Sequence, residues 1–201
     1  VDECHHLPAF TFEGSIKRAS ARYFLGLTAT PYRRDGLQSI ITMQCGPIRC
    51  ELKDVPADLS LRLNVRETPF AVPTEERPSI QDIFRNLVRD EPRNSLIEED
   101  VIRALNDGRQ CLILTQRTEH CRSLADRLMQ KGKVPFVLSG AVGKRERSSI
   151  LEAIENASPQ KELLVIATGQ YLGEGFDCPR IDTLFLAFPV SFKGKIVQYV
   201  G

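Results

Sequence analysis

Two rhythms of apolar residues run along this 201-residue chain. From residue 94 onward, short wholly apolar runs alternate with segments whose apolar residues recur every three or four positions. QCLILT (110–115), PFVLSG (135–140), ELLVIAT (162–168) and TLFLAF (183–188) read as strands buried on both faces. SLIEEDVIRALNDG (95–108), TEHCRSLADRLMQKG (118–132) and KRERSSILEAIENA (144–157) read as amphipathic helices, the first two stopped by Gly108 and Gly132. In the second of these Cys121, Leu124, Ala125 and Leu128 form the inward stripe, and His120 is expected to be partly exposed. Buried strands alternating with helices predict an α/β fold, a parallel sheet with helices on both faces. Right-handed crossovers then bring residues 115–117, 139–145 and 168–177 to one common edge.

The first half is less regular. Val1 suits the end of a buried strand, and PAFTFEGSIKRA (8–19) carries Phe12, Ile16 and Ala19 at helical spacing. YFLGLTAT (23–30) reads as a buried strand closed by Pro31, PYRRDG as a loop, and LQSIITMQ (37–44) as a short helix stopped by Gly46. Leu59, Leu61, Leu63 and Val65 alternate with polar residues, the pattern of a half-buried strand. Pro69, Pro73 and Pro78 forbid a long element, after which Ser79 caps a helix with Ile80, Ile83, Phe84, Leu87 and Val88 on one face. The domain reading is 1–52 as part of one lobe, 53–93 as a connector, and 94–201 as a second lobe. The first portion holds about two strands, fewer than an independent sheet needs.

Composition narrows the function classes. Lys and Arg number 27 against 26 Asp and Glu, a net charge of +1, so any nucleic-acid binding must come from a local patch. No run reaches the roughly 18 apolar residues of a membrane span. Six cysteines without a CxxC pair fit reduced thiols in the cytoplasm, nucleoid-associated if the source is prokaryotic, rather than a disulfide framework. Val1 stands where a methionine would begin a gene product, and the chain is expected to be a fragment.

Two places can carry chemistry. VDECHH (1–6) offers the adjacent carboxylates Asp2 and Glu3 at a strand end, where open sheets present a metal-nucleotide and a water-activating base. Cys4, His5 and His6 include metal-ligand types, but three adjacent residues converge poorly on one tetrahedral ion and no second pair lies at ligand spacing. The common edge is the second place. Thr115, Gln116 and Arg117, then Ser139 and Gly140, then Thr168 and Gly169 each follow a strand. Small hydroxyl residues and glycines there expose backbone N–H groups, and helix N-termini add positive potential, so the edge suits a row of phosphates with Arg117, Lys144 and Arg145 nearby. For any single Thr or Ser a helix cap is the commoner explanation, and it is the recurrence in three successive loops that favours binding. Arg33, Arg34, Lys193 and Lys195 read either as phosphate contacts or as solvated loop charges.

These motifs together resemble the superfamily 2 DExH-type helicases and translocases. VDECHH looks like their Walker B motif, LTATP (27–31) like their third motif, ATGQYLGEGFDCPRIDTLFLAFP (167–189) like motif V, and QYVG (198–201) like the start of motif VI. GEGFDCP and PVSFKGKIVQY are similar to the DNA-acting branch related to the XPB type and to restriction-enzyme motors. The order and spacing of these motifs fit the whole chain, from the middle of a first RecA-like lobe, only partial here, into a nearly complete second one. The resemblance implies ATP and Mg2+ as cofactors in the parent protein, with nucleotide bound between the lobes. It implies that Asp2 holds the magnesium ion, Glu3 polarises the attacking water and His5 links the nucleotide site to the other lobe. Thr28 and Thr30 would couple hydrolysis to grip. Thr168 and Gly169 would touch the nucleic-acid backbone, Gly175 and Asp177 would face the nucleotide, and Gln198 would approach its phosphates. DNA is the expected partner, with RNA open.

Two departures qualify this. No GxxxxGK[ST] phosphate-binding loop occurs in the 201 residues, and the arginines that follow QxxG in the family are absent. Loss of an arginine finger alone costs roughly 10³–10⁵ in rate. The parent is expected to be an ATPase, and this fragment, which lacks the N-terminal half of its first lobe, is not. The rival reading is a non-catalytic nucleic-acid-binding or interaction module that keeps the fold, against which Asp2, Glu3, Asp177 and Gln198 weigh.

Overall fold

The computed structural model describes residues 1–31, 35–51, 61–72, 78–158, 160–169, 176 and 178–190. They belong to two compact units, one of Val1–Asn64 together with Val190 and the other spanning Val65–Pro189.

The second unit is the predicted α/β sheet. Four strands, β1 (Cys111–Thr115), β2 (Phe136–Leu138), β3 (Leu164–Thr168) and β4 (Thr183–Leu186), lie in the order β2-β3-β1-β4, all parallel. Parallel neighbours need long crossovers. Three helices precede β1 or bridge the strands: α4 (Glu91–Asn106) before β1, α5 (Thr118–Gln130) between β1 and β2, and α6 (Lys144–Glu155) between β2 and β3. Cys111 and Ile113 of β1 and Leu164 and Ile166 of β3 pack under Val101 and Leu105 of α4 and Leu124, Ala125 and Leu128 of α5. The alternate residues Leu112, Leu114, Val165 and Ala167 point to the opposite face and are buried as well. Each fully buried Leu, Ile or Val here contributes about 1.5–3 kcal/mol. Gly108 and Gly132, with φ of 79° and 78°, turn the chain out of α4 and α5 where an L side chain would be strained.

Within the same unit, α3 (Ile80–Arg89) begins where the sequence places it. The Ser79 side chain accepts from the Asp82 amide and its hydroxyl donates to the Asp82 carboxylate at 2.6 Å, which holds that carboxyl below its usual range. Leu87 and Val88 are buried, but Ile80 is exposed. α4 starts four residues earlier than its periodicity indicates, because Asp90 caps it by accepting from the Arg93 amide and Pro92 fits the first turn.

The first unit is built differently. A 3-10 turn at Cys4–His6, α1 (Phe10–Arg18) and α2 (Gln38–Cys45) surround a small core of Cys4, Leu7 and Ile41. Val1 and residues 25–27 lie side by side: the Val1 ammonium donates to the Leu25 carbonyl, the Leu27 amide to Val1, and the Cys4 amide to Leu27. The expected buried strand over 23–30 does not form. Leu25 is 71% and Leu27 57% exposed, and Tyr23 is exposed beside them. Two paired segments cannot cover both faces of a strand, and among the described residues nothing else pairs with this one. The alternating stretch is likewise no strand over its described part, with Leu61, Leu63 and Val65 exposed and no ladder partner. Leu59 lies outside the described residues.

Candidate functional site

In the first unit the two motifs that are far apart in sequence meet. The His5 Nδ1 lies 2.9 Å from Glu3 Oε2 and 2.9 Å from Thr28 Oγ1. The Thr28 hydroxyl is 3.5 Å from the same carboxylate oxygen, and the Thr30 amide donates to Thr28 Oγ1 at 3.1 Å. Glu3, His5, Thr28 and Thr30 thus form one hydrogen-bonded group, built on the pairing of residue 1 with residues 25–27. Glu3 adopts φ 46°, the left-handed region that costs a non-glycine residue on the order of 1 kcal/mol or more and is concentrated at functional sites. Asp2 is exposed, and its Oδ1 accepts from the Glu3 amide at 2.9 Å.

A magnesium nucleotide fits this donor set in kind. Magnesium takes hard oxygen ligands and usually one or two carboxylates with waters and substrate phosphates, not an all-protein cage. Asp2 offers one exposed carboxylate, and among the described residues no cluster of three or more potential ligands could hold an ion alone. Gly175, Asp177 and Gln198, expected at the nucleotide, lie outside the described residues, as do Arg33, Arg34, Lys193 and Lys195.

The strand ends of the second unit make the predicted row. Thr115 is in register with Thr168, and Leu138 with Ala167, so Ser139 falls beside Thr168 at the same level. The side chains of Thr115, Ser139 and Thr168 are nevertheless 2%, 2% and 6% exposed. The Gly169 amide is engaged by the Thr115 carbonyl at 3.1 Å, which extends the ladder by one residue. The accessible part of the edge is therefore Gln116, Gly140, Lys144 and Arg145, with Arg117 and Gly169 half-buried. Lys144 and Arg145 occupy the first turn of α6, where the helix dipole disfavours cations; helix stability does not account for them.

No protein-family model matches the chain. Over 214 residues, 100% of this chain, it is 27% identical to the "Probable helicase D10" of Escherichia phage T5, of which it spans 44%. The "Transcript termination protein OPG145" of Monkeypox virus is 25% identical over 200 residues, 89% of this chain and 37% of that protein. The chain resembles viral helicases. It spans less than half the length of either relative. Among solved structures, T4 UvsW aligns with 61% of this chain and 25% of its own at 16% identity, with a TM-score of 0.47.

One group beside the edge escapes sequence reasoning. His120 is not partly exposed: it is 0% exposed and hydrogen-bonded at both ring nitrogens. Its Nε2 lies 3.0 Å from Asn94 Oδ1, its Nδ1 lies 2.8 Å from Thr115 Oγ1, and Asn94 Nδ2 donates to the Val88 carbonyl at 2.8 Å. Because Asn94 presents its oxygen, the ring carries its proton on Nε2 and accepts the Thr115 hydroxyl proton on Nδ1. Burial, with Arg93 nearby, lowers the His120 pKa to about 4, so the ring is neutral. The signal was present: His120 stands four residues before Leu124 and eight before Leu128, on the same helical stripe. Burial also pushes the Cys111 and Cys121 thiols up to about 12, which makes them inert packing residues.

Proposed function

We propose that this chain is part of an ATP-dependent DNA helicase or translocase of the DExH type, coupling nucleotide hydrolysis to movement on the strand. The observation that carries this reading is the convergence of Glu3, His5 and Thr28, which joins the Walker B-like and third-motif-like segments through hydrogen bonds of 2.9 Å. In the parent protein Glu3 would orient and polarise the attacking water, and Asp2 would hold magnesium, whose charge would neutralise the phosphates. A change at the Glu3 carboxylate reaches Thr28 through His5 and across 3.5 Å, and Thr28 passes it to the Thr30 amide, so these threonines carry the state of the nucleotide site into the backbone of the third motif. Gly175, Asp177 and Gln198 contribute further nucleotide contacts on the strength of the motif resemblance. Gln116, Arg117, Gly140, Lys144, Arg145 and Gly169 supply the edge that follows the DNA backbone, with Thr115, Ser139 and Thr168 beneath it. The six free cysteines fit a reducing, cytoplasmic setting, and among the described residues no helix is long and apolar enough to cross a membrane.

The test has two arms. The 201-residue chain, which holds no phosphate-binding loop sequence, binds single-stranded DNA in a salt-dependent manner and shows negligible ATP turnover. In the parent protein, Glu3→Gln lowers DNA-stimulated ATP turnover at least about 10²-fold while nucleotide binding survives. Undiminished turnover in that variant would remove Glu3 from the reaction, and salt-independent binding would remove the phosphate edge. Parallel titration with an RNA oligonucleotide separates the two nucleic acids.

A further inference from the structure

The turn after β1 is fixed residue by residue. The Thr115 hydroxyl bonds to His120, and Gln116 Nε2 donates to the Pro189 carbonyl at 3.0 Å. Arg117 Nη2 donates to Gln81 Oε1, and the Arg117 guanidinium carbon stands 5.5 Å from the centre of the Phe84 ring. Phe84 is itself seated edge-on against Phe188, with ring centres 4.8 Å apart. Gln81, Phe84, Arg85, Val88, Arg117 and Glu119 line an open cleft between α3 and the start of α5.

What holds Arg117 matters for its charge. Of the described carboxylates beside it, Asp82 pairs with Arg85 at 2.8 Å and Glu119 with Arg89 at 3.8 Å. Among the described residues Arg117 is held by a neutral amide and an aromatic face, so it is oriented there without a carboxylate partner. A guanidinium has five N–H donors, and Gln81 occupies one of its nitrogens, which leaves donors for a second partner. Ordering a long side chain before binding removes about 0.5–1.5 kcal/mol of cost from the binding step.

We propose that Gln81 and Phe84 of α3 are positioning residues that aim the Arg117 guanidinium at a nucleic-acid phosphate, extending the nucleic-acid edge onto a helix that the sequence assigns to a connector. This rests on the reading of Arg117 as a backbone contact. It adds that the contact is preorganised, and that α3 acts on the strand only through Arg117.

The experiment is a fluorescence-anisotropy titration of the 201-residue chain with a short labelled single-stranded oligodeoxynucleotide at several salt concentrations. Arg117→Ala is expected to weaken binding roughly five- to tenfold and to lower the salt slope by about 0.7, the contribution of one phosphate contact on a single strand. Gln81→Ala and Phe84→Leu each weaken binding about three- to tenfold with a reduced slope, whereas Phe84→Tyr, which keeps the ring, retains it. In an Arg117→Ala background neither Gln81→Ala nor Phe84→Leu has further effect. Thermal unfolding of each variant separates loss of grip from loss of fold, and the exposed Gln81 keeps the test clean if Phe84→Leu destabilises. If Arg117→Ala leaves binding unchanged, or the unaltered chain does not bind at low salt, the reading of Arg117 as a phosphate contact fails and this proposal with it. If Arg117→Ala weakens binding but the α3 variants do not, or their effects simply add to it, the positioning role alone is overturned.

Discussion

The segments YFLGLTAT (23–30) and CLILT (111–115) are nearly interchangeable as strings of apolar letters, yet the molecule treats them oppositely. Leu112, Ile113 and Leu114 are buried between two parallel neighbours and under helices, whereas Tyr23, Leu25 and Leu27 face outward beside the single short pairing with Val1. An apolar run becomes a buried strand only when other elements cover it on both edges and both faces. The second unit supplies that cover from its own described residues, and the first does not. Among its described residues the first unit has only Cys4, Leu7 and Ile41 as a buried core, but it holds the Glu3–His5–Thr28 group. Candidate chemistry thus sits on the thinly packed unit, and the candidate strand-following edge on the well packed one.

This contrast can be broken at graded strengths. The largest effect is expected in the dense core: Leu124→Ala should cost about 2–5 kcal/mol in urea unfolding, while Leu25→Ala should change stability by less than about 0.5 kcal/mol. Equal losses would mean that the exposed segment is covered in solution. Next comes pH. The folded His120 pKa of about 4 lies below the usual 6.5, so the unfolded chain binds the extra proton first. Stability of the second unit is full above about pH 6.5, falls as pH drops toward 4, and falls no further from this residue below that. The total is on the order of 3 kcal/mol at most. Unfolding titrations at pH 7 and 4.5 should show this loss, and His120→Gln should flatten it; an unchanged slope would assign it to other groups.

In the first unit Gly26→Ala is the sharpest probe. An added Cβ would meet Cys4 Sγ and Cys45 Sγ at 3.0 Å and Cys45 Cβ at 3.1 Å, so a loss of about 1–3 kcal/mol is expected, read as faster amide exchange in α2. Unaltered exchange would show that the packing of the 3-10 turn on α2 yields easily. The smallest effect belongs to Ser79→Ala, about 1 kcal/mol through loss of the α3 cap. If α3 positions Arg117, this variant also weakens DNA binding slightly. A stability loss without any change in binding would separate the helix from the edge.

Much of the second unit was legible because its signals are local. Each strand is a short apolar run and each helix carries its stripe, two of them with a glycine stop, so type and order follow from 10 to 15 residues at a time. The early start of α4 was also written in the sequence, in Asp90 followed by Pro92, although the apolar stripe begins later. The strand ends Thr115, Ser139 and Thr168 fall side by side in register, but the sequence did not show which atoms of that row are accessible. Thr115, Ser139 and Thr168 look like surface hydroxyls in sequence, and their burial depends on the register between strands about 50 residues apart.

By itself, then, the sequence determined the α/β class, the alternation that makes a parallel sheet, the placement of carboxylates in VDECHH and the resemblance to helicases. All of these depend on residue type, period or motif order. Only the tertiary structure decided that Leu25 and Leu27 are exposed, that His120 is a buried neutral link between Asn94 and Thr115, and that Arg117 lies over Phe84. It also brought Thr28 to His5. Such outcomes depend on which distant segment supplies the second edge, the covering face or the hydrogen-bond partner, and a local pattern of apolar and polar positions carries no record of that partner.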